Sequence, residues 1–151
     1  MSTVVIVDDS KIELEIFTQA LIDAGHDCVG VAEPSMALSV IKDTNPDFVI
    51  LDYSMPHKNG IELCKDLKLN PLTRDIPVMF LTSDSDPDHI IATIHMGCID
   101  YIRKPISTDE FVSLVMKHDI MKGFRDVLAP LKQDAERIMQ RYERRGKTNV
   151  E

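Results

Sequence analysis

Five short apolar runs alternate with five segments of helical period along the first 118 residues, and no other feature limits the fold as much. The runs are Val4–Val7, Cys28–Val31, Phe48–Leu51, Val78–Leu81 and Ile99–Ile102. Most are apolar at every position, as strands buried on both faces of a parallel sheet must be. The segments between them carry helix punctuation. Ser10-Lys11-Ile12-Glu13 and Ser107-Thr108-Asp109-Glu110 read as capping boxes, Pro34 and the Asp86-Pro87 pair as helix starts, and Gly25 and Gly97 as stops. The first helix places Ile12, Ile16, Phe17, Ala20 and Leu21 on its apolar face, the second Met36, Ala37, Val40 and Ile41, and the third Ile61, Leu63, Cys64 and Leu67. Alternation with short links requires right-handed crossovers, which give an open parallel sheet with helices on both faces.

Ligands of such sheets bind beyond the carboxyl ends of the strands, so the polar residues there are the informative ones. The first strand ends in Asp8-Asp9, the third in Asp52, the fourth in Thr82-Ser83 and the fifth in Arg103-Lys104-Pro105. Each piece alone has an ordinary explanation as a turn or a cap. Together they bring three carboxylates, a hydroxyl and an ammonium to one sheet edge. Clustered carboxylates repel, and a divalent cation removes that cost; one or two carboxylates, a backbone carbonyl and waters suit Mg²⁺. A metal beside a carboxylate and an ammonium is equipment for phosphoryl transfer, and a carboxylate serves as nucleophile when an aspartyl-phosphate forms. Asp52, central on its own strand, is the natural acceptor.

The stretches VVIVDDS, VILDYSMPHKNGIEL, IPVMFLTSDSD and MGCIDYIRKPIS carry these residues, and over about residues 3–118 the chain resembles the response-regulator receiver domain, as in the bacterial chemotaxis regulator. The resemblance implies a flavodoxin-like, doubly wound sheet of order 2-1-3-4-5 with five helices. It implies that Asp52 takes a phosphoryl group from a kinase phosphohistidine. Asp9, Asp52 and the Ser54 carbonyl are then direct Mg²⁺ ligands, with Asp8 acting mainly through water. Lys104 pairs with a phosphoryl oxygen, and its bond to Pro105 is cis. Thr82 moves to the phosphoryl group, and Tyr101 turns into the space it leaves, a two-state element biased by one new charge. Ser54 and Asp84, two residues past the acceptor and the switch threonine, occupy positions that influence phosphoryl lifetime. The chain departs from the family at Cys98, where alanine is common. It also has Leu114 where receivers of winged-helix transcription factors carry an arginine used in dimer contacts.

Charge sets the outer limits. Lys and Arg number 17 against 25 Asp and Glu, a net of −8, which argues against a direct nucleic-acid binder. Residues 1–118 carry a net of −10 and residues 119–151 a net of +2, so a receiver over 1–118 and a helical extension over 119–151 are expected. In the extension Met121, Phe124, Leu128, Leu131, Ala135, Ile138 and Tyr142 recur at steps of 3 and 4, a coiled-coil seam interrupted upstream by Lys117 and with a helix-kinking Pro130 inside it. Either one kinked helix pairs with its copy, or the chain breaks before Pro130 and folds back. The expected partners are a sensor histidine kinase or phosphotransfer protein, a second copy of the chain through the fifth helix and extension, and an output domain or effector. No apolar run reaches membrane-span length, the start MSTVVIVDDS lacks a signal-peptide n-region, and Cys28, Cys64 and Cys98 have neither disulfide nor metal spacing. A cytoplasmic location and small apolar roles for the cysteines follow. Two alternatives share the chemistry: a small aspartate-nucleophile phosphatase of the haloacid dehalogenase type, which needs DxD after its first strand, and a receiver-like scaffold that is never phosphorylated. The expectation is a signalling receiver that catalyses only its own phosphotransfer and slow dephosphorylation.

Overall fold

The computed structural model describes residues 1–148. Its strands are β1 (Thr3–Val7), β2 (Asp27–Val31), β3 (Phe48–Leu51), β4 (Val78–Thr82) and β5 (Asp100–Arg103). The helices between and after them are α1 (Lys11–Asp23), α2 (Pro34–Thr44), α3 (Gly60–Leu69), α4 (Pro87–His95) and α5 (Thr108–Thr148). The strands form one parallel sheet in the order β2-β1-β3-β4-β5. All four residues of β3, at the centre, have no exposed surface, which is why that run needed apolar side chains on both faces.

The helix punctuation is met atom by atom. Ser10 accepts from the Glu13 N–H, Asn59 from Glu62, Asp86 from Asp88 and Ser107 from Glu110. Gly25 and Gly97 follow α1 and α4 at φ of 93° and 80°, the left-handed region that glycine enters without a Cβ penalty. The first capping box is only half made. The Ser10 N–H goes to Asp8 Oδ1 at 2.9 Å, which frees the Glu13 carboxylate for another partner.

The apolar face of α1 differs from the sequence expectation. Phe17 and Leu21 are buried, but Leu14 completes the stripe, while Ile12 and Ile16 stay 75% and 49% exposed. Leu14, Phe17 and Leu21 follow steps of 3 and 4 and so share a face; Ile12 and Ile16 form a separate pair beside it. On α2, Ala37 and Ile41 are buried and Met36 is exposed; on α3, Ile61, Leu63, Cys64 and Leu67 are all buried. Cys64 is buried, Cys28 and Cys98 are half-buried, and all three are free thiols. Burial pushes the Cys28 thiol up to about 11, so it stays protonated and packs as a small apolar group.

The chain divides into two compact units, Met1–Ser113 and Leu114–Glu151. The first holds the sheet and its core. In the second, α5 continues as helix through Pro130 to Thr148, so the fold-back alternative is not adopted. Proline lacks an N–H, so the Asp126 carbonyl loses its helical partner at that point. Met121, Phe124, Leu128, Leu131, Ile138 and Tyr142 are each at least 45% exposed. Among the described residues no helix is long and apolar enough to cross a membrane.

Gly60 opens α3 where no side chain fits: a Cβ there meets the Asp52 carbonyl oxygen at 2.5 Å and Phe80 Cε1 at 2.8 Å. Gly60→Ala is therefore expected to destabilise the fold by about 1–3 kcal/mol, as overpacking against backbone does. A urea midpoint equal to wild type would contradict this.

Candidate functional site

Asp8, Asp52 and Lys104 are each the first residue beyond a strand and Thr82 is the last within one, and the sheet ladder reaches one step further to hold the first three. The Asp8 N–H donates to the Val31 carbonyl at 3.1 Å, that of Asp52 to Val7 at 3.0 Å, and that of Lys104 to Thr82 at 2.9 Å. Asp8 and Asp52 thus leave β1 and β3, the neighbours at which strand order reverses, with their backbones pinned. The Gly60 N–H closes the following loop on the Tyr53 carbonyl at 2.8 Å. The Lys104–Pro105 peptide is cis.

Carboxylate oxygens of Asp8, Asp9 and Asp52 lie within 4.8 Å of one another. Asp8 and Asp52 are 3% and 9% exposed. Asp9, which follows the pinned Asp8, is exposed. An all-oxygen set of this size and charge suits a hard divalent cation such as Mg²⁺. Ser54 stands beside the cluster, its N–H donating to Asp52 Oδ1 at 3.3 Å.

Opposite the acids, Lys104 Nζ donates to Asp8 Oδ2 at 2.7 Å and lies 3.7 Å from Asp52 Oδ2. It also bonds the Glu13 carboxylate. Burial works against this ammonium, but the hydrogen bonds to Asp8 and Glu13 and the charge of Asp52 outweigh it and hold its pKa above the ordinary lysine value. Lys104 is therefore a fixed positive charge. Burial pushes the Asp52 carboxyl up, opposed by a hydrogen bond from Thr82 and by the Lys104 charge. The Thr82 hydroxyl, wholly buried, also accepts from the Asp84 N–H at 3.1 Å.

The β4–α4 loop carries a second cluster. Asp84 Oδ2 meets His89 Nδ1 at 2.6 Å and the Ser54 hydroxyl at 3.5 Å, while Oδ1 accepts from the Asp86 N–H at 2.8 Å. The His89 ring stacks on Tyr53 at 4.3 Å and 14°. The Tyr101 hydroxyl donates to the Asp84 carbonyl at 2.7 Å, and its ring packs on Phe80 at 6.2 Å. Burial and the Asp84 charge push the Tyr101 hydroxyl up to about 12, so it is a donor at any physiological pH. Asp84 is thus a held carboxylate with a side chain 9% exposed.

The structure brings Asp8, Asp9, Asp52, Ser54, Thr82 and Lys104 to one edge, with Tyr101 one contact away through Asp84. Sequence reasoning missed two members of this neighbourhood. Glu13 had a sufficient explanation as the last residue of a capping box, three positions after Ser10. His89 stands three residues beyond the Asp86 N-cap, in a run of acids that gave no sign of which one faces it.

A family model for the response regulator receiver domain matches residues 4–116. The chain belongs to that family, the receivers of two-component signalling. It is 40% identical over 111 residues to the phosphate regulon transcriptional regulatory protein PhoB of Pseudomonas aeruginosa, covering 74% of this chain and 48% of that one. It is 33% identical over 126 residues to a probable cyclic di-GMP phosphodiesterase of Vibrio cholerae, covering 83% and 28%. The chain therefore spans about half, or less, of these relatives. A response regulator from Desulfuromonas acetoxidans superposes with a TM-score of 0.72 at 26% identity, over 80% of this chain and 98% of that one.

The His89–Asp84 pair carries a pH dependence. The hydrogen bond that His89 donates to Asp84 raises the His89 pKa; burial works against the Asp84 carboxylate, but the Asp86 N–H and that same bond outweigh it and hold Asp84 low. The pair's stabilisation is fully present below the ordinary histidine value of about 6.5 and is lost as pH rises through the higher folded value. The difference in urea midpoint between wild type and His89→Gln is therefore expected to be larger near about pH 6 than near about pH 9. A difference independent of pH would remove the pairing as its cause.

Proposed function

We propose that the chain is a phosphorylation-dependent receiver in which Asp52 accepts a phosphoryl group from the phosphohistidine of a sensor kinase or phosphotransfer protein. The carrying observation is the convergence of Asp8, Asp9 and Asp52 within 4.8 Å, with the Lys104 ammonium 3.7 Å from Asp52. An Asp52 carboxylate oxygen attacks phosphorus as the phosphorus–nitrogen bond breaks and the imidazole leaves. Asp9, Asp52 and the Ser54 carbonyl would hold Mg²⁺ directly, and Asp8 largely through water. The ion supplies charge neutralisation at the phosphoryl oxygens. Lys104 neutralises a further oxygen, and the Thr82 hydroxyl turns from Asp52 to the new acceptor. Asp84 lies between Thr82 and Tyr101, accepting from the Tyr101 hydroxyl and donating to Thr82, so movement of Thr82 reaches Tyr101 through one residue. That is the switch pair.

Receiver and extension, read as 1–118 and 119–151, divide the labour. The seam of exposed apolar residues at steps of 3 and 4 on α5 favours a second copy of this chain as partner. Phosphorylation makes or tightens that dimer, and an output domain or effector protein reads it. The first two relatives owe more than half their length to other parts, so their named activities are not assigned to this chain. A dehalogenase-type phosphatase needs its nucleophile after the first strand, whereas here the central acid is Asp52, directly after β3. The non-phosphorylated scaffold is weighed against the receiver by the same experiment.

Intact mass after incubation with acetyl phosphate is expected to show one Mg²⁺-dependent phosphoryl adduct on wild type and none on Asp52→Asn. No adduct, even with a panel of histidine kinases as donors, would favour the scaffold. Light scattering is expected to show a larger mass with beryllofluoride, a phosphoryl mimic, than without it; an unchanged mass at tens of micromolar would count against the dimer.

A further inference from the structure

The ammonium of Lys104 is shared among three carboxylates, and only two of them belong to the acidic cluster. Asp8 and Asp52 lie within the triad that suits a divalent cation. Glu13 does not. It projects from the first turn of α1, where its backbone N–H makes the cap bond to Ser10 and its carboxylate reaches the Lys104 Nζ. Its reach back to the Ser10 N–H, the other half of a capping box, is replaced by Asp8. The side chain is thus available to the lysine without loss of the helix cap. Lys104 is 10% exposed and Glu13 45%, so the lysine is held inside while the glutamate stands at the rim.

The two holds on Lys104 respond differently to the signalling chemistry. A cation on the triad competes with the lysine for Asp8 and weakens that hold. It offers nothing to displace Glu13. A phosphoryl group on Asp52 adds about −1.5 to −2 charge and three acceptor oxygens, and an ammonium with three donors must turn toward it. The Glu13 contact is then stretched or broken, or the ammonium is divided between two anions that repel each other. In either case Glu13 stabilises the unphosphorylated form relative to the phosphorylated one.

We propose that Glu13 is a positioning residue that detains Lys104 and so lowers the affinity of the Asp52 site for a phosphoryl group. The proposal rests on the receiver reading above. It makes the extent of phosphorylation at a given donor level a property of the first turn of α1 as well as of the acidic cluster. Removing the charge frees the lysine; it also removes one negative charge near the cation site, which alone weakens cation binding. The two effects have opposite signs, and an impaired site would weaken both ligands.

The test is titration of the full chain with beryllofluoride at saturating Mg²⁺, and with Mg²⁺ alone, followed by amide NMR shifts. Wild type, Glu13→Gln, Glu13→Ala and Asp52→Asn are compared. Beryllofluoride is expected to bind both Glu13 variants more tightly than wild type by roughly two- to five-fold, the range of a partly exposed ion pair. Mg²⁺ alone is expected to bind them no more tightly than wild type. Asp52→Asn is expected to lose beryllofluoride binding. Binding to wild type with no tightening in either Glu13 variant would overturn the proposal and leave the receiver reading standing. Equal tightening for Mg²⁺ alone would also overturn it, because the effect would then lie in the cation site. Absence of Mg²⁺-dependent beryllofluoride binding by wild type would overturn the receiver reading and this proposal with it.

Discussion

Carboxylates do not gather unless something prevents their leaving, and here the restraint is the sheet itself. The N–H groups of Asp8, Asp52 and Lys104 each donate to the last carbonyl of a neighbouring strand. Register in a parallel sheet is set by the apolar runs, whose residues are almost wholly buried in β1, β3 and β4. A slip of one residue would turn core side chains to the wrong face. The cost of crowding the acids is therefore borne by core packing, and the Lys104 ammonium offsets part of the repulsion. What remains is a negative pocket that favours a cation and, beside it, a fixed positive charge.

The same edge is wired to its surroundings through short side chains. Asp84 bonds Ser54, the Asp86 N–H and His89 with its carboxylate, Tyr101 with its carbonyl, and Thr82 with its N–H. It thereby joins the loop after β3, the loop after β4 and strand β5. Coupling of this kind needs no long pathway, because each partner is one hydrogen bond away. Phe80 supplies the apolar side of the arrangement, packing against both Tyr53 and Tyr101.

The sequence made much of this legible, for reasons that differ by element. Fully apolar runs of four residues pointed to buried strands, and Asp8 and Asp52 were readable because each is the first charge after such a run; Lys104 follows Arg103 after a run that itself contains Asp100, and was readable from the Lys-Pro pair at the end of the fifth strand. Caps at Ser10, Asp86 and Ser107 were readable because each motif is satisfied within three residues of itself. The face of α1 was not. Ile12 and Ile16 fit helical spacing as well as Leu14 does, and only the position of the sheet decides which pair is covered. The extension left two outcomes open at Pro130, and the helix runs through it.

By itself, then, the sequence determined the alternation of strand and helix, the parallel sheet and the identity of the acids at its edge. Those depend on local pattern and on the single handedness of crossovers. Only the tertiary structure decided that the Glu13 carboxylate leaves its cap for Lys104, and that His89 faces Asp84 while stacking on Tyr53. Each of those contacts joins residues from different elements or loops, and a charged side chain with several possible partners takes the one that packing brings within reach.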